Sequence, residues 1–538
     1  MATVNAALGI DTTLGIDTTL VGMEQKSKLR KHFRRFDMLF FLICTLVGFD
    51  TIGTVAKNGA QGFTWLIFLG LTFFIPYAFL TAELGSAFPE EGGSYIWTRL
   101  AFGRFVAAVN ALLYWVSNPI WLGGTLSLTA VTTFSTFFVP LTGVWQYLFA
   151  LVFIWFSVTA AILSFNIGKW IPTIGAYARV IVLGFFTIST VLYALRHGVH
   201  GFGGADFAPT YVAFIAIVPV LFFNYVGFEL PNAAGDEMID PQRDVPFTVI
   251  RSAIGAILLY GAPILSILLV LPQSQITGLA GFLDAAKSVF TVYGGHIAAN
   301  GAPTLSGVGL VIGDVTALLF IWGLASSGTT WLMGADRAQA VASYDGAGPR
   351  VLGTISARFG TPVAVNMLSG IVGTLIMVVA TYFSGGNSNA YFAAVLGLAI
   401  STTSLSYLAV FPALIKLRYS HPHVPRPYRV PFGKVGVWFC GVVTTFWALL
   451  AAVVLIWPGF GTGLFGTGGN PDDALAGLQF AHQRLQYELT QILPLVVILV
   501  VGVIFYALGR DTRAHVVEPS QVHVVEPTPV GGSGPALA

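Results

Sequence analysis

Charge is what this sequence has least of. Lys, Arg, Asp and Glu make up 9 % of its 538 residues, against about 25 % in an average soluble domain. Hydrophobic residues make up 55 %, more apolar surface than a soluble fold of this length can hide. Cysteine is nearly absent too. Cys44 and Cys440 both fall inside apolar runs, which excludes a disulfide framework and a Cys-based zinc site. No HExxH, GxSxG or P-loop pattern occurs, and the nine histidines fall in predicted loops or tails. Hydrolysis and nucleotide-driven pumping therefore lack a residue set, and neither a metal nor a cofactor is called for. The basic run KSKLRKHFRR follows a polar leader and runs directly into an apolar segment. It reads as a topology determinant, with contact to anionic lipid as the alternative, and not as a cleavable signal; no nucleic-acid partner is indicated.

What the sequence has in place of charge is apolar runs. Stretches of about 20 residues, each the length of a helix that crosses hydrocarbon, recur from Phe36 to near Arg510. Spans are expected to begin near Phe36, Phe63, Phe105, Val144, Ile171, Tyr211, Phe247, Ser306, Thr361, Ala390, Val435 and Leu489. The fold class is thus an all-α polytopic membrane protein with about twelve transmembrane helices. With the N-terminus inside, all of the 26 Lys and Arg except Lys57, Arg196, Lys287 and Arg484 fall on the cytoplasmic side. That asymmetry puts both termini in the cytoplasm and the protein in the cytoplasmic membrane. The near-duplications LGIDTTLGIDTT and HVVEPSQVHVVEPT lack an apolar face, so residues 1–35 and 511–538 read as disordered tails, and the Gly-rich outer loop from Trp457 to Asn470 as flexible.

Two of these spans carry a flaw at corresponding places. LVGFDTIGT sets Gly48 beside Asp50 in the first, and NYVGFELPN sets Gly227 beside Glu229 in the sixth, where Pro231 also removes a backbone donor. Paired, Gly-interrupted apolar segments at matching positions of two halves point to a secondary transporter's midplane site, where unwound backbone faces a cavity. Helix ends there attract anions at N-termini and cations at C-termini. A carboxylate at membrane depth costs several kcal/mol and usually faces a polar interior. Asp50 is read either as a partner for a substrate ammonium or a proton, or as a structural acceptor for exposed amides. Glu229 is read as a proton-coupling or gating group, with a buried structural hydrogen bond as the rival.

AELGSAFPEEGGSYIWTRLAFG after the second span, YVGFELPNAAGDEMIDPQRDVP across the sixth, MGADRAQAVASYDGAGPR closing the eighth, GTPVAVN opening the ninth and RPYRVPFG before the eleventh together resemble the amino acid-polyamine-organocation superfamily over residues 36–510. The resemblance implies a five-plus-five inverted repeat, about 36–197 and 208–418, with two trailing helices at about 435–508, and alternating access around a central site. Gly48-Phe49-Asp50-Thr51 departs from the glycine-serine-glycine break of many members and is similar to polyamine uptake transporters, which place acidic residues there. Phe223 resembles a gating aromatic and Trp331 a substrate-stacking tryptophan of bacterial antiporters in the superfamily. The implied substrate-binding set is Gly48, Phe49, Asp50, Thr51, Phe223, Asn224, Gly227 and Trp331.

Arg179 resembles in position a fifth-helix lysine that replaces sodium in a proton-coupled relative. Arginine does not release its proton, and snorkelling to the cytoplasmic interface is the expected state of Arg179. Ser326 and Ser327 are read either as lining a sodium site or as joining helices. Glu83 is expected to be structural, Glu90 and Glu91 to be solvated. The implied function is secondary transport of amino acids or related amines, with proton or sodium coupling, exchange and oligomeric state all open. A polyamine or organic-cation carrier is the alternative. A nutrient receptor and a membrane enzyme are weaker readings, given short tails and no catalytic constellation.

Overall fold

Backbone that crosses hydrocarbon must satisfy its own hydrogen bonds, which a helix does within itself. The computed structural model describes residues 18–29, 31–163, 168–298, 301–383, 388–457 and 480–517. Most of both sequence duplications, all but Thr18–Thr19 of the first and residues 515–517 of the second, and residues 458–470 of the Gly-rich loop lie outside the described residues. Among the described residues, ten helices are long and apolar enough to span: α4 (Ala60–Ala87), α6 (Arg104–Phe137), α7 (Val144–Ile162), α8 (Trp170–His197), α10 (Pro241–Val270), α12 (Gly307–Ala347), α13 (Val363–Phe383), α14 (Ser388–Ser420), α15 (Gly433–Ile456) and α16 (Phe480–Leu508). Two further spans are broken. The first is α2 (Arg35–Leu46) followed by α3 (Ile52–Lys57), and the other is α9 (Tyr211–Asn224) followed by a 3₁₀ segment, Leu230–Glu237. The observed starts lie within a few residues of the expected ones, except that α10 starts six residues early and α16 nine.

The breaks sit at VGFD and VGFE, and local chemistry accounts for them. Gly227 adopts φ 123°, a conformation that L side chains rarely take, and a Cβ there would stand 2.5 Å from Thr45 Cγ2 and 2.9 Å from Trp331 Cζ2. Only glycine lets the second break approach the first break and α12 this closely. Side chains such as Leu71, Val152 and Leu195 point outward as an apolar jacket, the face a bilayer would cover.

The two ends of the bundle differ. At one end Thr18–Thr19 (β1) pairs antiparallel with Val516–Val517 (β4), and α1 (Leu20–Lys26) follows it. These residues lie in stretches read from the sequence as disordered tails, and they are ordered because they hold one another. The Thr19 hydroxyl also donates to the Tyr344 carbonyl at 2.5 Å. The opposite end carries α11 (Gly281–Phe290) and the hairpin of Gly295–Ile297 (β2) with Pro303–Leu305 (β3). Two short helices, α5 (Ser94–Phe102) and α17 (Arg510–Arg513), complete the end that bears the termini.

Candidate functional site

Residues 48–51 cross the core between α2 and α3 without helix around them, so their polar groups need other partners. The Gly48 N–H donates to the Tyr260 hydroxyl on α10 at 2.8 Å. Asp50 is 1 % exposed. Its Oδ2 accepts from the indole N–H of Trp121 at 2.7 Å and the hydroxyl of Thr125 at 3.1 Å, while Oδ1 has no hydrogen-bond partner. Trp121 and Thr125 stand where α6 bends, with Pro119 inside the helix and a π-type bulge over Leu122–Leu126. Such bulges recur at functional sites because they re-aim side chains.

Asp50 faces a small cavity of about 10 Å³, about the room one water needs. Gly48, Thr51, Thr45 and Leu46 line it from the first break, Phe223 and Asn224 from the second, and Trp121, Tyr260 and Trp331 from α6, α10 and α12. Trp121 meets Phe223 edge-on at 5.7 Å and Trp331 at 6.1 Å, and the Trp331 indole donates to the Thr45 carbonyl at 3.1 Å. Asn224 Nδ2 is buried with no partner. None of the lining residues is Lys, Arg or His. Of the sequence candidates, Gly48, Asp50, Thr51, Phe223, Asn224 and Trp331 line this cavity, and Gly227 packs on Trp331 behind it. Phe49 does not join them. It points to the other side of the break, where it stacks on Phe320 at 4.5 Å and lies under the Arg179 guanidinium at 5.3 Å.

Glu229 follows the second break and faces a cage of phenols. Tyr114 donates to Oε1 at 2.7 Å and Tyr407 at 2.5 Å, and Tyr77 donates to Oε2. The Tyr77 oxygen in turn accepts the backbone N–H groups of Gly227 and Phe228, each at 3.1 Å. The cage thus ties the unwound amides to the carboxylate through one hydroxyl.

Arg179 departs from the sequence expectation. It is fully buried instead of snorkelling, and neutral acceptors surround it. Nε donates to Val47 O at 2.7 Å, Nη1 to Gly175 O at 2.8 Å and Ser326 Oγ at 3.0 Å, and Nη2 to Gly323 O at 2.9 Å and to Ser327 Oγ. A guanidinium carries five N–H donors, and all five are placed, which is what makes its burial tolerable. Ser326 and Ser327 therefore serve the arginine and join α12 to α8 and to the first break.

A separate belt of charge closes the end that bears the termini. Arg337 Nη1 bonds Glu91 at 2.8 Å and also Glu237. Lys26 of α1 meets Glu90 and Asp236, Arg99 and Arg104 meet Asp345, and Arg418 and Arg426 meet Glu83. Glu90 and Glu91 are accordingly 8 % and 1 % exposed, not solvated loop charges, because α1 and α12 cover them. Burial, with Glu237 and Asp236 close by, pushes the Glu91 carboxyl up despite the Arg337 guanidinium.

A family model described as amino acid permease matches residues 33–468. The chain belongs to the amino acid permease family. Two relatives are similar over most of their length. A probable agmatine/putrescine antiporter of Lactococcus lactis is 25 % identical over 501 residues, 92 % of this chain and 98 % of the relative. An uncharacterized transporter of Legionella pneumophila is 27 % identical over 423 residues, 75 % of this chain and 86 % of the relative. A glutamate/gamma-aminobutyrate antiporter of Lactococcus lactis is 26 % identical over 227 residues, 42 % of each chain. This permease is an integral multi-pass membrane protein and a secondary transporter of amino acids or amines.

Several residues of the permease's core gave no sequence signal of their own. Trp121, Thr125, Tyr260 and the three tyrosines around Glu229 are ordinary members of apolar runs until the fold turns them inward. Trp121 and Thr125 alone left a trace, an i,i+4 pair on one helix face next to Pro119 and Gly123-Gly124. Asp336 was also passed over. It is fully buried and held by Trp115 at 2.9 Å, Ser369 at 2.7 Å and Asn366 at 2.6 Å.

Proposed function

We propose that this permease carries small organic amines across the cytoplasmic membrane, by alternating access around Asp50, with the substrate ammonium taken by the open oxygen of that carboxylate. One observation carries the reading: a buried carboxylate oxygen with no partner faces a cavity whose lining includes no cationic side chain. A substrate carboxylate has no counter-charge there, whereas an ammonium meets both Asp50 and the aromatic walls of Trp121, Phe223 and Trp331. The likeness to an agmatine/putrescine antiporter supports the same substrate class. The work is transport and not catalysis.

The closed cavity reads as an occluded state that must open to one side to admit a substrate. Residues 36–197 and 208–418 act as the two repeats, with both termini in the cytoplasm, so that the charged belt around Arg337 is the inner gate. Arg179 supplies a fixed cation between the first break and α12, which disfavours sodium there and leaves exchange, or a proton carried at Glu229, as the drive. A second reading is favoured by Asn224, whose unpartnered amide donor suits a substrate carboxylate and hence an amino acid. Counterflow into proteoliposomes separates them. Vesicles loaded with 1,4-diaminobutane are expected to accumulate labelled diamine, and no neutral or acidic amino acid is expected to compete. Accumulation of neutral amino acids with no response to diamine overturns the amine reading.

A further inference from the structure

The two oxygens of Asp50 are not equivalent. A carboxylate oxygen offers two lone-pair sites, and on Oδ2 both are taken, by the Trp121 indole and the Thr125 hydroxyl. Oδ1 is empty. Gly48 keeps it reachable, since a Cβ at position 48 would stand 3.1 Å from Oδ1 and crowd its approach. The site therefore offers one acceptor atom, not a two-pronged edge.

That distinction separates two kinds of organic cation. A guanidinium is a planar fork that matches a carboxylate with two parallel N–H···O bonds. A primary ammonium is a compact point charge that needs a single strong acceptor. With Oδ2 filled, a fork at Asp50 must either displace the indole from a fully buried bond or leave one of its own prongs desolvated and unpaired. An ammonium meets neither penalty.

We propose that Asp50 takes a primary ammonium end-on through Oδ1, and that Trp121, helped by Thr125, excludes a guanidinium from this position by occupying Oδ2. The inference deepens the amine reading and rests on it. A substrate with an ammonium at one end and a guanidinium at the other binds in one orientation only, ammonium toward Asp50. Trp121 is thus a specificity-determining residue that acts through the carboxylate it caps.

The test is competition against labelled 1,4-diaminobutane in counterflow, using unlabelled 1,4-diaminobutane, 1-amino-4-guanidinobutane and 1,4-diguanidinobutane. In the wild type the first two are expected to compete within about threefold of each other and the diguanidine at least tenfold more weakly. Trp121→Phe removes the indole donor and is expected to narrow that ratio at least threefold, whatever it does to the absolute rate. Thr125→Val keeps the side chain's shape, is expected to narrow the ratio less, and decides the matter if the tryptophan variant does not assemble. Equal competition by diamine and diguanidine in the wild type overturns the inference and leaves the amine reading standing. So does a ratio unchanged in both variants. Failure of the wild type to exchange any diamine overturns the amine reading itself.

Discussion

The centre of this permease and the end that bears its termini treat buried carboxylates in opposite ways. In the centre, Asp50 and Glu229 are held by an indole, phenols and a hydroxyl, and Asp336, one residue before Arg337 on α12, by an indole, a hydroxyl and an amide; no salt bridge reaches any of the three among the described residues. At the end that bears the termini, Glu83, Glu90, Glu91, Glu237 and Asp345 are all held by Lys or Arg. Arg179, a fully buried cation beside the first break, is in turn held by backbone carbonyls and serines. Neutral donors fix a carboxylate's direction and leave its charge for something else. Arginines neutralise it on the spot. The first arrangement suits a site that awaits a cation, the second a lock between segments.

This contrast predicts where damage falls as lost stability and where as lost transport. The largest stability effect is expected at Arg337, because Arg337→Ala leaves Glu91 and Glu237 buried without their shared guanidinium; the loss is of order 3–5 kcal/mol, read as the unfolding midpoint of purified protein in detergent. Arg337→Lys should recover only part of it, since a point charge cannot reproduce the fork. An unchanged midpoint for the alanine variant would erase the distinction between lock and site.

Asp50→Asn is expected to do the reverse. The amide oxygen still accepts from Trp121 and Thr125, so the midpoint should move little, while amine counterflow falls by about 10–100-fold, as befits a lost charge-assisted hydrogen bond of about 1.5–3 kcal/mol. A variant that transports normally but unfolds early would make Asp50 architectural.

Acidity sharpens the comparison next. A buried carboxyl whose folded pKa lies above its unfolded one binds protons more tightly in the native state, so it stabilises the fold at low pH and that contribution is lost as pH rises toward the folded value. Glu91 is such a group. The midpoint is expected to fall as pH rises from the ordinary glutamate range toward neutrality and beyond, and Glu91→Gln is expected to flatten that slope. A slope of the opposite sign, or one indifferent to the substitution, counts against a gate in which two carboxylates share one arginine.

The smallest effect is expected at Asp336. Asp336→Asn keeps an oxygen for Trp115 and Ser369, and Asn366, whose Oδ1 has no partner, can turn its amide to receive the new N–H. Stability should change by less than about 1 kcal/mol, and a loss of several would mean that the charge itself is needed there.

How much of this was legible beforehand follows from what each feature depends on. The spans were, because length and apolarity are local properties; so were the two breaks, since Gly48 and Gly227 mark positions where helix is weak. Asp50 and Glu229 stood out because charge in an apolar run is conspicuous. Their partners did not, because a tyrosine or tryptophan in a span looks the same whether it faces lipid or a carboxylate. Arg179 was misjudged for a related reason: an arginine about two turns into a helix can reach either an interface or a core, and only the helices around it decide which. The ion pair of Glu90 depends on Lys26 of α1 and that of Glu91 on Arg337 of α12, partners distant in sequence that only the fold brings to them. Phe49 shows the limit of carrying a contiguous motif into a site, because consecutive residues of an unwound segment point in different directions.

The claim that Asp50 offers an open oxygen to a substrate ammonium is tested most directly by calorimetric titration of purified protein with 1,4-diaminobutane, comparing wild type with Asp50→Asn. The account predicts saturable binding to the wild type and binding at least tenfold weaker, or none, to the variant at an unchanged unfolding midpoint. Equal affinity in the two proteins would contradict it.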